Sequence, residues 1–142
     1  MHNGIKVNLC LKPAEVNSGI KFKRTDIDNN KNIIEANYEN VSSSALCTKI
    51  ENSYGVAVST IEHLMAVFYG EGIDNVLVEI DAPEVPIMDG SAFDFVTAIK
   101  SYGTQEQNYP KKFIKVLKKV EVKDWPKYIS IEPLTKDLII DF

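Results

Sequence analysis

Cysteine is scarce in this chain: Cys10 and Cys47 are the only two among 142 residues. One pair cannot build the disulfide framework of a small secreted domain, so a reducing cytoplasm is the expected setting. Histidine is as rare, with His2 and His63 alone. No H-E-x-x-H pair occurs, and no cysteine pair has zinc-finger spacing, so the local sequence offers no ready-made metal motif. No apolar run approaches the ~20 residues of a membrane span. The opening "MHNGIKVNLCLKP" lacks the charged-then-apolar layout of a signal peptide. The formal net charge of −4 argues against a nucleic-acid partner, whose phosphates call for clustered Lys and Arg. The densest basic run, "KKFIKVLKK" (Lys111 to Lys119), reads as the solvated face of an alternating strand.

What is present is ordinary globular material, 44% hydrophobic and 25% charged. Strict alternation in "GIKVNLCLK" puts Ile5, Val7, Leu9 and Leu11 on one face and predicts a half-buried strand. "GIKFKRT" repeats the pattern through Ile20 and Phe22, after a turn over Pro13 to Gly19. "IIEANYENV", "LCTKIE" and "YGVAVS" give three short strand candidates, with a hairpin turn at "ENSYG". A helix starting at Ser59 or Thr60 carries Ile61, Leu64, Met65 and Phe68 at i, i+3, i+4, i+7 and ends at Gly70 or Gly72. "DNVLVEI" is a strand. "DAPEVPIMDG" is a Pro-rich loop, and a second helix runs from Ser91 to Gly103 with Ser91 and Asp94 in cap spacing.

The polar stretch "GTQEQNYPKK" then breaks the pattern. Beyond it only strand-like segments follow: "FIKVLKKVEV", "YISIEP" and "DLIIDF". No helix is in sight to cover their apolar side, which points to a second domain that starts here and is cut short. The expected organisation is a first α+β domain over residues 1–107, a sheet carrying two helices, and the opening strands of a second over 108–142.

"STIEHLMAVFYGEGIDN" raises the chemical question. Ser59 and Glu62 have the spacing of a capping box, in which the serine oxygen and the glutamate each satisfy a free backbone N–H at the helix start. On that reading His63 merely packs. The alternative makes His63 a zinc ligand and Glu62 a carboxylate that takes a proton from bound water. "APEVPIMDGSA" is open in the same way. It is either a rigid loop presenting Met88 and Asp89 to a ligand, or a turn whose Asp and Ser serve as caps. Cys47 as a nucleophile lacks a paired base in view and is expected on a strand.

Taken together, "STIEHLMAVFYGEGIDNVLVEIDAPEVPIMDGSAFDFV" (Ser59 to Val96), with "KFKRTD", "LCT" and "KKF", resembles the zinc-dependent UDP-3-O-acyl-N-acetylglucosamine deacetylases of lipid A synthesis. The resemblance implies two α+β domains of similar fold with the active site between them. It implies that Glu62 is the general base, that His63 is the zinc ligand given by the first domain, and that the substrate is an acylated UDP-sugar. His2, Leu46 and Cys47 match positions lining the site. The family's other ligands, an H-K-x-x-D pattern, and the histidine that protonates the leaving amine lie in a second domain, so this chain is expected to need that missing half. A rival expectation is a non-catalytic α+β binding module, against which the retention of both Glu62 and His63 speaks.

Overall fold

The computed structural model describes residues 4–27, 30–135 and 138–141. The fold is α+β, with two compact units, Met1–Tyr109 and Pro110–Phe142.

The first unit is organised around one strand. β7 (Val76–Ile80) is central in a four-stranded sheet of order β1-β7-β2-β3, antiparallel to β1 (Leu9–Pro13) and parallel to β2 (Ile20–Arg24). β3 (Ile33–Glu35) closes the far edge, antiparallel to β2. The register places Leu11, Val78, Phe22 and Ile34 in one row across all four strands. Phe22, Ile34 and Val78 in that row are fully buried. Alternation therefore decides which face meets the helices. The opposite face carries charge: Lys12 and Lys23 both reach Glu79, at 2.6 and 3.2 Å, and Lys21 reaches Glu35 at 3.1 Å.

The first strand is shorter than its alternating pattern. Regular pairing begins at Leu9, and Ile5 is exposed. The "IIEANYENV" segment is not one strand but β3, a single 3-10 turn (Tyr38–Asn40) and β4 (Val41–Ser43). Asn37 breaks it by capping that turn, its side chain accepting from the Asn40 N–H. β4 joins β5 (Lys49–Glu51) and β6 (Ala57–Val58) in a small antiparallel sheet. The hairpin turn read from "ENSYG" is present, closed by the Asn52 and Gly55 amides.

α1 (Glu62–Gly70) and α2 (Phe93–Tyr102) cover the core face of the larger sheet. Leu64, Val67 and Phe68 of α1 are buried, with Ile61 just ahead of it, while Met65 is only partly so. Removing a side chain of that kind from water contributes about 1.5–3 kcal/mol. α1 ends as its glycines predict: Gly72 adopts φ 70, its N–H reaches Tyr69 O, and the Ile73 N–H reaches Phe68 O. α2 starts where Ser91 Oγ accepts from the Phe93 N–H, and its last turn closes on Gly103.

In the second unit, β8 (Val120–Asp124) and β9 (Lys127–Ile131) form an antiparallel hairpin whose residues are exposed on both faces. The "FIKVLKK" stretch, expected as strand, has no regular pairing before Val120. In "DLIIDF", Leu138 to Asp141 are not in a strand, and Asp137 and Phe142 lie outside the described residues.

Candidate active site

The start of α1 is where the functional candidates converge. The helix begins at Glu62 rather than at Ser59 or Thr60, and no side chain caps it. The capping box suggested by Ser59 and Glu62 is not formed. Ser59 instead gives its N–H and its hydroxyl to Pro83 O, at 2.9 and 3.1 Å. The Pro83–Val85 segment thus engages the Ser59 backbone and hydroxyl together.

Glu62 is thereby released for another contact. Its Oε2 accepts from the Thr48 backbone N–H at 3.0 Å. Thr48 also receives the Ile61 N–H on its carbonyl at 3.3 Å. Thr48, just before β5, thus holds both Ile61 and Glu62 at the start of α1. Among the described residues Oε1 of Glu62 has no hydrogen-bond partner. Glu62 stands on the wall of a cleft of about 380 Å³ whose other walls include Tyr38, Val41, Ile50 and Met65. A carboxylate held by one oxygen beside open space can accept a proton on the other.

His63 follows Glu62 on the first turn and is half-buried. Among the described residues nothing hydrogen-bonds its ring. Leu46 is 94% exposed and held at φ 64, a backbone region that a non-glycine residue rarely visits. Cys47 is a free, half-buried thiol. It lies in the loop before β5, not on a strand as its sequence neighbourhood suggested, because pairing with β4 and β6 begins only at Lys49. His2 lies outside the described residues.

The Pro-rich loop comes next to the same place through Ser59. Met88 is half-exposed at φ 54, and the Gly90 N–H closes the turn on Ile87 O at 2.9 Å. Asp89 accepts the Ser91 N–H and hydroxyl, which holds its carboxyl below the usual aspartate value. The turn reading of this loop therefore describes Asp89 and Ser91. Of the four non-glycine residues with positive φ among the described residues, Leu46 lies two residues before Thr48 and Thr60 two residues before Glu62. Strain of that kind gathers where geometry is imposed by the surroundings.

Sequence reasoning missed Thr48, Thr60 and Glu84. Each acts through a contact distant in sequence, and no local pattern carries that information. The metal question has a plain answer for these residues. Among the described residues no group of three or more His, Cys, Asp or Glu side chains is placed to hold a metal ion. A catalytic zinc usually takes three protein ligands.

Comparison with known proteins gives a consistent result. The sequence profile of the family described as UDP-3-O-acyl N-acetylglycosamine deacetylase (LpxC) matches residues 1–142. A UDP-3-O-acyl-N-acetylglucosamine deacetylase of Shewanella violacea is 47% identical over 142 residues, all of this chain and 46% of the relative's length. Those of Shewanella pealeana and Aliivibrio fischeri are 48% and 46% identical, again covering the whole chain and 46% and 47% of theirs. The chain thus spans about 46% of the length of the curated relatives it matches.

Proposed function

This chain belongs to the UDP-3-O-acyl N-acetylglycosamine deacetylase family, and from that premise we propose that it supplies one side of a deacetylase active site. The substrate is the one in the relatives' name, an acylated UDP-sugar whose N-acetyl group is hydrolysed. Glu62 acts as general base, taking a proton from the water that attacks the acetyl carbonyl. His63 gives one ligand toward a zinc ion, and Leu46, Cys47 and His2 line the substrate site. When bound, such an ion polarises the carbonyl and makes water a better nucleophile. The remaining ligands and the acid for the leaving amine come from residues outside this chain. Residues 1–107 form the first α+β domain and 108–142 the opening of a second. The reaction's place is the cytoplasm, in lipid A synthesis.

The observation that carries this reading is the state of Glu62. It is withdrawn from the capping role its spacing invites, fixed through one oxygen by Thr48, and stands on a cleft wall with the other oxygen unengaged among the described residues. A glutamate serving only the helix start would face the backbone of that start.

A chimera tests the proposal. This chain replaces the matched 46% of the Shewanella violacea relative, and turnover of the acylated UDP-sugar is measured with zinc. Turnover is expected, and Glu62→Gln should lower kcat by about 10²–10⁴-fold with little change in KM, the usual contribution of a general base. A folded, zinc-loaded chimera without turnover overturns the reading.

A further inference from the structure

Two buried polar side chains of the first unit have no part in that chemistry. Thr60 is 3% and Glu84 4% exposed, and the Thr60 hydroxyl donates to Glu84 Oε1 at 3.0 Å. They meet because the backbone brings them together. The Ser59 N–H donates to Pro83 O, and the Val85 N–H donates to Ser59 O at 3.0 Å, as a parallel bridge. A buried carboxylate is retained only where donors satisfy it, and a hydroxyl aimed at it is one such donor.

Thr60 is also out of place by backbone preference. Its φ is 59, in the left-handed region, where a β-branched residue is a true outlier and is strained. Glycine would adopt that angle without strain. What threonine brings, and glycine cannot, is the hydroxyl that Glu84 receives. The next residue, Ile61, is already helical at φ −80, ψ −14, and Glu62 begins α1. The reversal between β6 and α1 is therefore pinned two residues before Glu62.

We propose that Thr60, held by Glu84, is a positioning residue that aims Glu62 at Thr48. The pin fixes the left-handed angle, the angle fixes the rotation of the first helical turn, and the rotation places the Glu62 carboxylate on the Thr48 N–H. Without the hydroxyl, Thr60 relaxes to negative φ, the turn rotates, and the carboxylate leaves its donor. The proposal rests on the catalytic reading of Glu62, but its test needs neither metal nor substrate.

The test is amide hydrogen exchange on the whole 15N-labelled chain, comparing Thr48 with the Val78 and Ile80 amides of β7. Glu62→Ala sets the protection Thr48 shows when its acceptor is gone. In Thr60→Val, protection at Thr48 should fall about tenfold while that of β7 stays unchanged, as for a local opening. Thr60→Ser, which keeps the hydroxyl, should restore it. Should Thr60→Val not fold, Glu84→Gln decides: a neutral acceptor should lower Thr48 protection about threefold, again without touching β7. Thr48 and β7 falling in step in these variants means a purely structural contact and overturns the proposal, as does an unchanged Thr48. An inactive chimera with the exchange pattern intact overturns the catalytic reading alone.

Discussion

The backbone of Thr48 grips the first turn of α1 twice: its N–H holds Glu62 Oε2 at 3.0 Å and its carbonyl receives the Ile61 N–H at 3.3 Å. A strand start and a helix start are thereby locked in a fixed relation, with the carboxylate as one of the two fasteners. In the proposed role of general base, a carboxylate fixed through one oxygen has already lost rotamer freedom that would otherwise be lost on reaching the transition state.

That double contact predicts the effect of removing the carboxylate. Glu62→Ala leaves the Thr48 N–H without its acceptor and should lower stability by about 1 kcal/mol, the usual net contribution of such a bond. Glu62→Gln keeps a carbonyl oxygen and should cost less. Thermal unfolding of the three chains checks the order, and an alanine variant as stable as the parent means that the bond contributes nothing.

Gly72 gives a cleaner test of a local rule. Its φ of 70 ends α1, and a Cβ built there meets nothing within 4 Å. The cost of Gly72→Ala is then backbone strain alone, about 1 kcal/mol. Gly70 is the last residue of the helix, with equally open surroundings and no positive φ. Gly70→Ala should therefore stabilise, by about 0.5–1 kcal/mol. Urea midpoints of the two variants should move in opposite directions, and a shared direction refutes the assignment of Gly72 as the terminator.

Acid should destabilise the first unit through two aspartates. The Arg24 guanidinium, bonded to both oxygens of Asp26 at 2.7 and 2.6 Å, holds that carboxyl below its usual value of 3.8. Asn8 does the same for Asp81 through its side chain and its N–H, at 2.6 and 2.7 Å. A carboxyl whose pKa is depressed by folding gives stability that is present above the unfolded value and lost as pH falls through the folded one. The urea midpoint should stay level from about pH 7 to about pH 5 and drop below about pH 4. Asp81→Asn should shrink the drop. A midpoint at pH 3 equal to that at pH 6 contradicts both ion-specific contacts.

How far the sequence reaches is visible in these same residues. The α+β class, the stripe Leu64–Phe68, the terminator Gly72 and the central strand Val76–Ile80 are all legible, because periodicity and glycine act over a few residues. Strand lengths are not: Ile5 alternates correctly yet lies outside the paired strand, since pairing depends on what lies alongside. The start of α1 misleads for a physical reason. Ser59 and Glu62 have ideal cap spacing, but Pro83 and Thr48, contributed by distant segments, offer each a partner and win. Family resemblance recovers Glu62 and His63 as candidates. Only geometry brings in Thr48, Thr60 and Glu84.

Metal binding by this chain alone should be weak. A zinc ion held for catalysis draws its affinity from about three preorganised protein donors, each of which must be deprotonated and correctly placed before the ion arrives. The described residues offer no such group, and His63, half-buried on the first turn of α1, is the single ligand that the family resemblance assigns to them. Losing two of three donors removes most of the binding free energy. The isolated chain should then leave a size-exclusion column with far less than one zinc per molecule and show no turnover of the acylated UDP-sugar. In the chimera with the Shewanella violacea relative, zinc should rise to about one per molecule, because the remaining donors return, and His63→Ala should lower that affinity by at least about tenfold. Elemental analysis of both proteins, run beside a deacetylation assay, reads both quantities. One tightly held zinc in the isolated chain, with turnover, means that the chain carries a complete site and that the two-part arrangement is wrong.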